Sequence, residues 1–229
     1  KGLLHAVAIP TEQQEADRQV TRLRDSWTSK RRRVQQQIKS FLLQHGLGEP
    51  DGLANWSAKG LEGLGQIELG PELRFALDLM VEELGQLNGQ LLRINQQIRQ
   101  LSKTDRHGPA VEVLTSHPGV GLTVAMAFRT ELHQAGQFTD AAQVGQYVGL
   151  APRVSQSGQT RRDGPISRSG RGPLRALLTQ AAWVWIRFDE AAKKVFNRLV
   201  SNTGSAQKAI VGMARRLAIR LWRMMVTGE

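Results

Sequence analysis

The sequence predicts a mainly α fold, in which a long coiled-coil helical hairpin is followed by a helix–hairpin–helix-like helical domain carrying one small β-hairpin. Three observations lead there. Apolar residues recur at steps of three and four over most of the chain, and two of these stripes outrun an ordinary globular helix. Only the stretch near 152–166 has the glycine-flanked, strand–turn–strand texture of a hairpin. Past residue 103 the elements shorten and glycine punctuates them, which divides the chain into a linker and oligomerisation region, 1–102, and a C-terminal domain, 103–229.

The first helix is predicted from Thr11 to Gln44. Thr11 and Gln14 have the spacing of a capping box, and Gly46 after His45 is a C-terminal stop. Its apolar seam is Ala16, Val20, Leu23, Trp27, Val34, Ile38 and Leu42, interrupted by Lys30-Arg31-Arg32-Arg33. A glycine-rich connection, 46–70, follows, with Trp56, Leu61, Leu64 and Ile67 as anchors. From Pro71, Leu73, Leu77, Met80, Leu84, Leu87, Leu91, Ile94, Ile98 and Leu101 form a strict heptad stripe. The two helices make an antiparallel hairpin or pair with a second copy, and the unbroken stripe favours a homodimer or tetramer. Helices are then expected near 110–116, 121–133 and 139–148, the strand pair at 152–166, and helices near 171–187, 189–201 and 205–226. The last helix sets Arg215, Arg216, Arg220 and Arg223 opposite Ile210, Met213, Leu217 and Leu221. Trp183, Trp185 and Trp222 are assigned to the core.

Composition removes several classes of function. The chain of 229 residues has no cysteine, which excludes a disulfide scaffold, a zinc knuckle and a thiol nucleophile. It has no apolar run long enough to cross a bilayer, and Lys1–Pro10 lacks the pattern of a secretory signal, so a cytoplasmic, nucleoid-associated protein without a membrane partner is expected. With 5% aromatic residues and one tyrosine, a stacking platform for single strands is poorly supplied. The five histidines never fall at metal-ligand spacing. Charge is informative because it is uneven: residues 1–102 carry 13 basic and 12 acidic side chains, residues 103–229 carry 18 and 8. A basic second part points to a polyanion, and double-stranded DNA is the partner expected.

Two segments carry candidate chemistry. His117-Pro118-Gly119-Val120-Gly121 has the pattern of a helix–hairpin–helix turn, whose glycines Gly119 and Gly121 let backbone amides face a phosphate; a plain tight turn between packed helices is the alternative. Residues 153–175 hold six arginines (Arg153, Arg161, Arg162, Arg168, Arg171 and Arg175), no lysine and one acid. Arginine without lysine suits bidentate phosphate recognition. Ser155, Ser157, Ser167 and Ser169 are interleaved with them, and a hydroxyl among guanidinium groups is the pairing phosphoryl transfer uses. The alternative is a basic hairpin whose serines only cap turns.

The order of these pieces resembles a known family. Leu114, Pro118-Gly119-Val120-Gly121, Phe138, Tyr147-Val148-Gly149-Leu150-Ala151-Pro152-Arg153, Ser157-Gly158, Arg168-Ser169-Gly170 and Leu174-Arg175 look like the C-terminal transposase domain of the insertion-sequence family "one-ten", whose relatives include pilin-inverting recombinases. The basic helix through Lys39-Ser40-Phe41-Leu42-Leu43-Gln44 resembles that family's linker. The resemblance implies a recombinase that cuts and rejoins DNA through a phosphoserine link, directed by a structured guide RNA, with magnesium held by an acidic ribonuclease-H-like domain. It assigns the nucleophile to Ser157, with Ser155 the nearest alternative. The chain starts where that acidic domain should be ending, so the magnesium ligands are expected outside it and the chain alone is expected to cut poorly. Two rivals remain: an oligomeric DNA- or RNA-binding module without chemistry, and a nuclease whose carboxylates do all the cutting.

Overall fold

The structure, a computed structural model, describes residues 9–157, 160–167 and 169–229; the side chains of 154–163 lie outside the description. Its elements are mainly α, in the order α1 (Glu12–Gln44), α2 (Ala58–Gln66), α3 (Pro71–Leu101), α4 (Gly108–Thr115), α5 (Leu122–Glu131), α6 (Ala141–Tyr147), β1 (Pro152–Ser157), β2 (Thr160–Ile166), α7 (Gly172–Phe188), α8 (Glu190–Thr203) and α9 (Ala206–Thr227). Single turns of 3₁₀-helix occur at Leu53–Asn55 and Ala135–Gln137. The described part divides into two compact units, one of Arg22–Gln97 and one of Ile98–Glu229 with the start of α1 up to Thr21.

Within Arg22–Gln97, α1 and α3 run antiparallel, with Arg24 Nε donating to Asn95 Oδ1 at 2.8 Å and Trp27 to Gln90. The core joins Val34, Ile38 and Leu42 of α1 to Leu77, Leu84 and Leu87 of α3, with Leu53 and Leu64 closing one end. Part of the heptad stripe, Leu77, Leu84 and Leu87, is thus covered by α1 of its own chain, as in the internal hairpin. Helix α1 stops as its sequence requires: Gly46 takes φ +66°, its amide reaches Leu43 O, and Leu47 N reaches Leu42 O, which is a Schellman ending. The glycine-rich connection contains α2, a helix the sequence reading did not assign. Ser57 caps it by accepting from Gly60 N at 3.2 Å, and Leu64 is fully buried. Gly60 is required there, because a Cβ would lie 2.5 Å from Leu53 N.

The seam predicted for the start of α1 is corrected. Ala16 is exposed and Leu23 is 41% exposed, while Asp17, Arg18 and Thr21 are buried. This end of α1 packs through ion pairs and hydrogen bonds instead of apolar contact, so its buried face is polar. The capping box forms as expected, with Thr11 N on Gln14 Oε1 and Gln14 N on Thr11 Oγ1. A second correction concerns Trp183, which is 41% exposed, its ring edge on Phe196; Trp185 and Trp222 are buried.

In the other unit α9 is the central helix, burying Ile210, Met213, Ala214, Leu217, Ala218, Leu221 and Trp222 among α4, α6, α7 and α8. No described helix is long and apolar enough to cross a membrane. Leu84, 1% exposed in the core of the helical hairpin, gives a direct check. Leu84→Ala should cost about 2–5 kcal/mol, read as a lower urea midpoint by circular dichroism.

Candidate nucleic-acid interface

Strands β1 and β2 pair antiparallel, with Ser157 opposite Thr160, Gln156 opposite Arg161, Ser155 opposite Arg162 and Val154 opposite Asp163. Ser157 is thus the last strand residue before the turn. The register shifts between Pro152 and Val154, a bulge that sets Arg153 apart from the ladder. The side chains of Ser157, Arg161 and Arg162 lie outside the described residues, as does Arg168 entirely. Arg153 is exposed and donates to Ser167 O at 3.3 Å, while Ser167 N reaches back to Ala151 O at 2.8 Å.

The hairpin is anchored where two glycine backbones meet. Gly149 adopts φ +70°, and a Cβ on it would fall 2.6 Å from Gly170 N, so no larger residue fits on either side. Arg175 locks this crossing by donating to Gly170 O. Arg171 stands at the N-cap position of α7 and places Nε 2.9 Å from Glu131 Oε1. Both arginines of the α7 start, read from sequence as phosphate contacts, therefore have internal partners.

The turn between α4 and α5 presses on α7. Gly119 has φ +86°, and a Cβ there would lie 2.6 Å from Ala181 O and 2.8 Å from Trp185 N. Its glycine is explained by helix packing. Gly121 differs: it is exposed, precedes α5 with φ −90°, and gives that helix no side-chain cap. His117 is buried, its Nδ1 on Pro118 O at 2.8 Å and its ring edge-on to Trp185 at 4.9 Å. Burial pushes its imidazole below the ordinary range.

Beyond the hairpin, α9 presents Arg216, Arg220 and Arg223 along a cavity of about 600 Å³ whose floor is Trp185, Ala192, Val195, Met213 and Ile219. All three arginines are exposed, and no described carboxylate pairs with any of them. Arg220 stands 5.8 Å over the Trp185 ring. Asp189 is engaged elsewhere, accepting from Ala191 N, Ala192 N and Trp185 Nε1, bonds that hold its carboxyl below the usual range. Arg215, grouped with these arginines from sequence, faces α6 instead, close against Gly145.

A polar knot was not legible beforehand. Asp17 accepts two bonds from Arg106, at 2.7 and 2.9 Å, and one from His107 Nε2 at 2.8 Å. Arg18 donates to Thr130 O and Glu15, meets His133 Nδ1 at 2.7 Å, and lies 3.8 Å from buried Glu131. Burial raises the Asp17 carboxyl, but the bonds from Arg106, His107 and Gln13 bring it net below its ordinary value. Burial lowers His107, which outweighs the pull of Asp17, so the ring is neutral with its proton on Nε2. These partners lie far apart in sequence, and only buried polar residues on one helix face (Asp17, Thr21) could have signalled them. Among the described residues no three carboxylate or imidazole groups converge as metal ligands, so these residues do not fit magnesium and no step is derived through it.

The segment that contains this turn, the hairpin and α7 is similar to a transposase family: residues 111–197 match the family model "Transposase IS116/IS110/IS902 family". The candidate transposase y4qE of Sinorhizobium fredii is 29% identical over the whole chain and 55% of its own length. The transposase of insertion sequence element IS1328 from Yersinia enterocolitica is 29% identical over 80% of the chain and 54% of its own length. That of element IS1111A from Coxiella burnetii is 22% identical over 96% of the chain. The match to this insertion-sequence family covers residues 111–197, and the chain spans about half the length of the first two relatives.

Two outcomes follow from the knot. Glu131→Gln removes the carboxylate between Arg18 and Arg171 and should destabilise by about 3–5 kcal/mol, measured by chemical denaturation. His107 has a folded pKa below its unfolded value near 6.5, so its contribution is full above that pH and is lost as pH falls through the folded value. Melting temperature should drop on acidification below pH ~6.5, and His107→Gln should flatten that drop in a pH series of thermal melts.

Proposed function

We propose that this chain is the DNA-gripping and nucleophile-bearing half of an insertion-sequence recombinase. The observation that carries the reading is the position of Ser157: it ends β1 directly before the turn of an arginine-rich hairpin, inside the family-matched residues 111–197. In this reading the Ser157 hydroxyl attacks a backbone phosphorus, an O–P bond to the serine forms, and the strand leaves as a free hydroxyl end that later reverses the step. Arg153, Arg161, Arg162 and Arg168 spread the charge of the phosphoryl oxygens. The α9 arginines Arg216, Arg220 and Arg223 and the open amides at Gly121 hold the duplex by its backbone, a contact that positions without reading sequence. Magnesium comes from carboxylates outside these residues. A structured RNA selects the DNA, and a homodimer or tetramer brings two sites together.

The test is covalent trapping with the full-length protein, labelled element-junction DNA, flanking transcript and magnesium. A protein–DNA adduct on a denaturing gel that disappears in Ser157→Ala and persists in Ser155→Ala is the expected result. No adduct, together with metal-dependent nicking, would transfer the chemistry to the carboxylates and leave a DNA-binding module here. Separately, neutralising Arg216, Arg220 and Arg223 should lower duplex affinity and reduce the slope of log K against log salt by about 3, as three phosphate contacts require.

A further inference from the structure

The cavity of about 600 Å³ between α8 and α9 is more than three arginines need for holding a nucleic-acid backbone. Phosphate contacts are made at a surface and require no hollow beside them. Here Arg216, Arg220 and Arg223 span about 10 Å of α9, at 1.5 Å per residue, along a hollow of the size that takes small organic ligands. Its wall includes apolar side chains that solvent reaches: Ala191 and Val195 of α8 and Ile219 of α9. Trp185, 6% exposed, backs it, with Arg220 over its ring.

One residue on the lining has the wrong sign for a phosphate. Asp189 is half-exposed, and its hydrogen bonds keep it ionised by holding its carboxyl below the usual range. Its Oδ1 accepts from Ala191 N and Ala192 N, whereas Oδ2 accepts from Trp185 Nε1 alone among the described residues. A carboxylate has about four lone-pair sites, so Oδ2 keeps one for a further donor. Asp189 also acts on Arg220, whose charge is thus partly met within the protein. Cations on one rim, an apolar wall and an ionised acceptor together fit a ligand with an anionic backbone, a flat apolar face and an N–H edge. A nucleotide has all three; a bare phosphate has only the first.

We propose that this cavity takes one unpaired nucleobase of a nucleic-acid strand, its exocyclic amino group donating to Asp189 and its plane against Arg220, while Arg216 and Arg223 hold the adjoining phosphates. The inference rests on the reading of α9 as a backbone grip and adds a preference to it. Guanidinium planes are regular stacking partners of splayed-out bases. Cytosine and adenine present an amino group where thymine and uracil present a carbonyl oxygen, which an ionised carboxylate repels. A base already out of the stack spares the cost of opening a pair.

The probe is a set of labelled hairpins, made in DNA and in RNA, titrated into the 229-residue chain and read by fluorescence anisotropy. Each set has a fully paired form, one bulged cytidine, one bulged thymidine or uridine, and one abasic bulge. The cytidine bulge should bind about 10-fold tighter than the paired and abasic forms, and tighter than the thymidine or uridine bulge. The set that shows this preference identifies the strand. Ala191→Trp fills the cavity from an exposed position with all three arginines in place, and should bring the ratio of bulged to paired affinity close to one. Asp189→Asn, its fold checked by circular dichroism, keeps the Oδ1 cap of α8 and exchanges an acceptor for a donor, so it should reverse the order of the two pyrimidine bulges. Equal affinity for paired and bulged forms in both sets overturns this inference and leaves the backbone grip standing, whereas no binding to any hairpin overturns both. An abasic bulge that binds as tightly as cytidine overturns it as well, because bending alone would then be recognised. So does an unchanged ratio in folded Ala191→Trp, since the base would then sit elsewhere.

Discussion

A single buried carboxylate organises the half of the molecule that carries the candidate chemistry. Glu131, 5% exposed at the end of α5, lies between Arg18 of α1 and Arg171 at the start of α7, and its own carbonyl accepts from Tyr147 Oη at the end of α6. Four helices therefore meet at one residue. Removing a carboxylate from water is costly, and two guanidinium groups offset that cost only when the geometry is held on every side. The consequence is positional. The end of α6 leads into β1 and the start of α7 receives the chain from β2, so the two legs of the hairpin are tied to the same residue, one through its carbonyl and the other through its carboxylate. The glycine crossing of Gly149 and Gly170 sits directly on that base, where backbone approach leaves no space for side chains.

This arrangement changes how the basic character of the chain is understood. Six arginines between 153 and 175 suggest one continuous phosphate-binding surface. Arg171 and Arg175 are instead consumed in holding the hairpin's base, and arginines without a described carboxylate salt bridge reappear on α9, at Arg216, Arg220 and Arg223. Arginine serves both roles for one reason: its planar fork satisfies several acceptors at once, whether they are a buried carboxylate, a turn carbonyl or a phosphate. Counting charges cannot separate the two uses, because the distinction depends on which acceptors the fold brings near.

The sequence made the order and kind of nearly every element legible, because helix caps, glycine stops and apolar stripes are local signals. Thr11, Gly46, Pro71 and the 152–166 texture each marked the boundary they now occupy. Helix α2 escaped because its glycines lower intrinsic propensity, and burial of Leu64 together with the Ser57 cap overrides that preference. The start of α1 misled for a different reason. Periodicity assigns the inward face to apolar residues, whereas Asp17, Arg18 and Thr21 point inward because their partners, Arg106, His107 and Thr130, arrive from remote parts of the chain. The Pro-Gly turn was legible as a turn, but the close approach of α7 that explains Gly119 is a tertiary fact. The polar knot was invisible for the same reason.

Helix α1 then appears as two helices in sequence sharing one axis of hydrogen bonds. Its first turns bury charged and hydroxyl groups, while its second half buries Val34, Ile38 and Leu42. These faces demand different partners: an ion-pairing surface with fixed donors and acceptors for the first, and an apolar stripe of matching period for the second. An apolar seam tolerates small slips because dispersion and desolvation are non-directional. The polar face does not, since each displaced bond leaves a buried charge unpaired. The chain thus places its direction-sensitive contacts beside the hairpin, where the candidate chemistry requires fixed geometry, and its slip-tolerant contacts in the helical hairpin. That division follows from residue type alone once the two faces are recognised, and it explains why the start of α1 groups with the C-terminal unit.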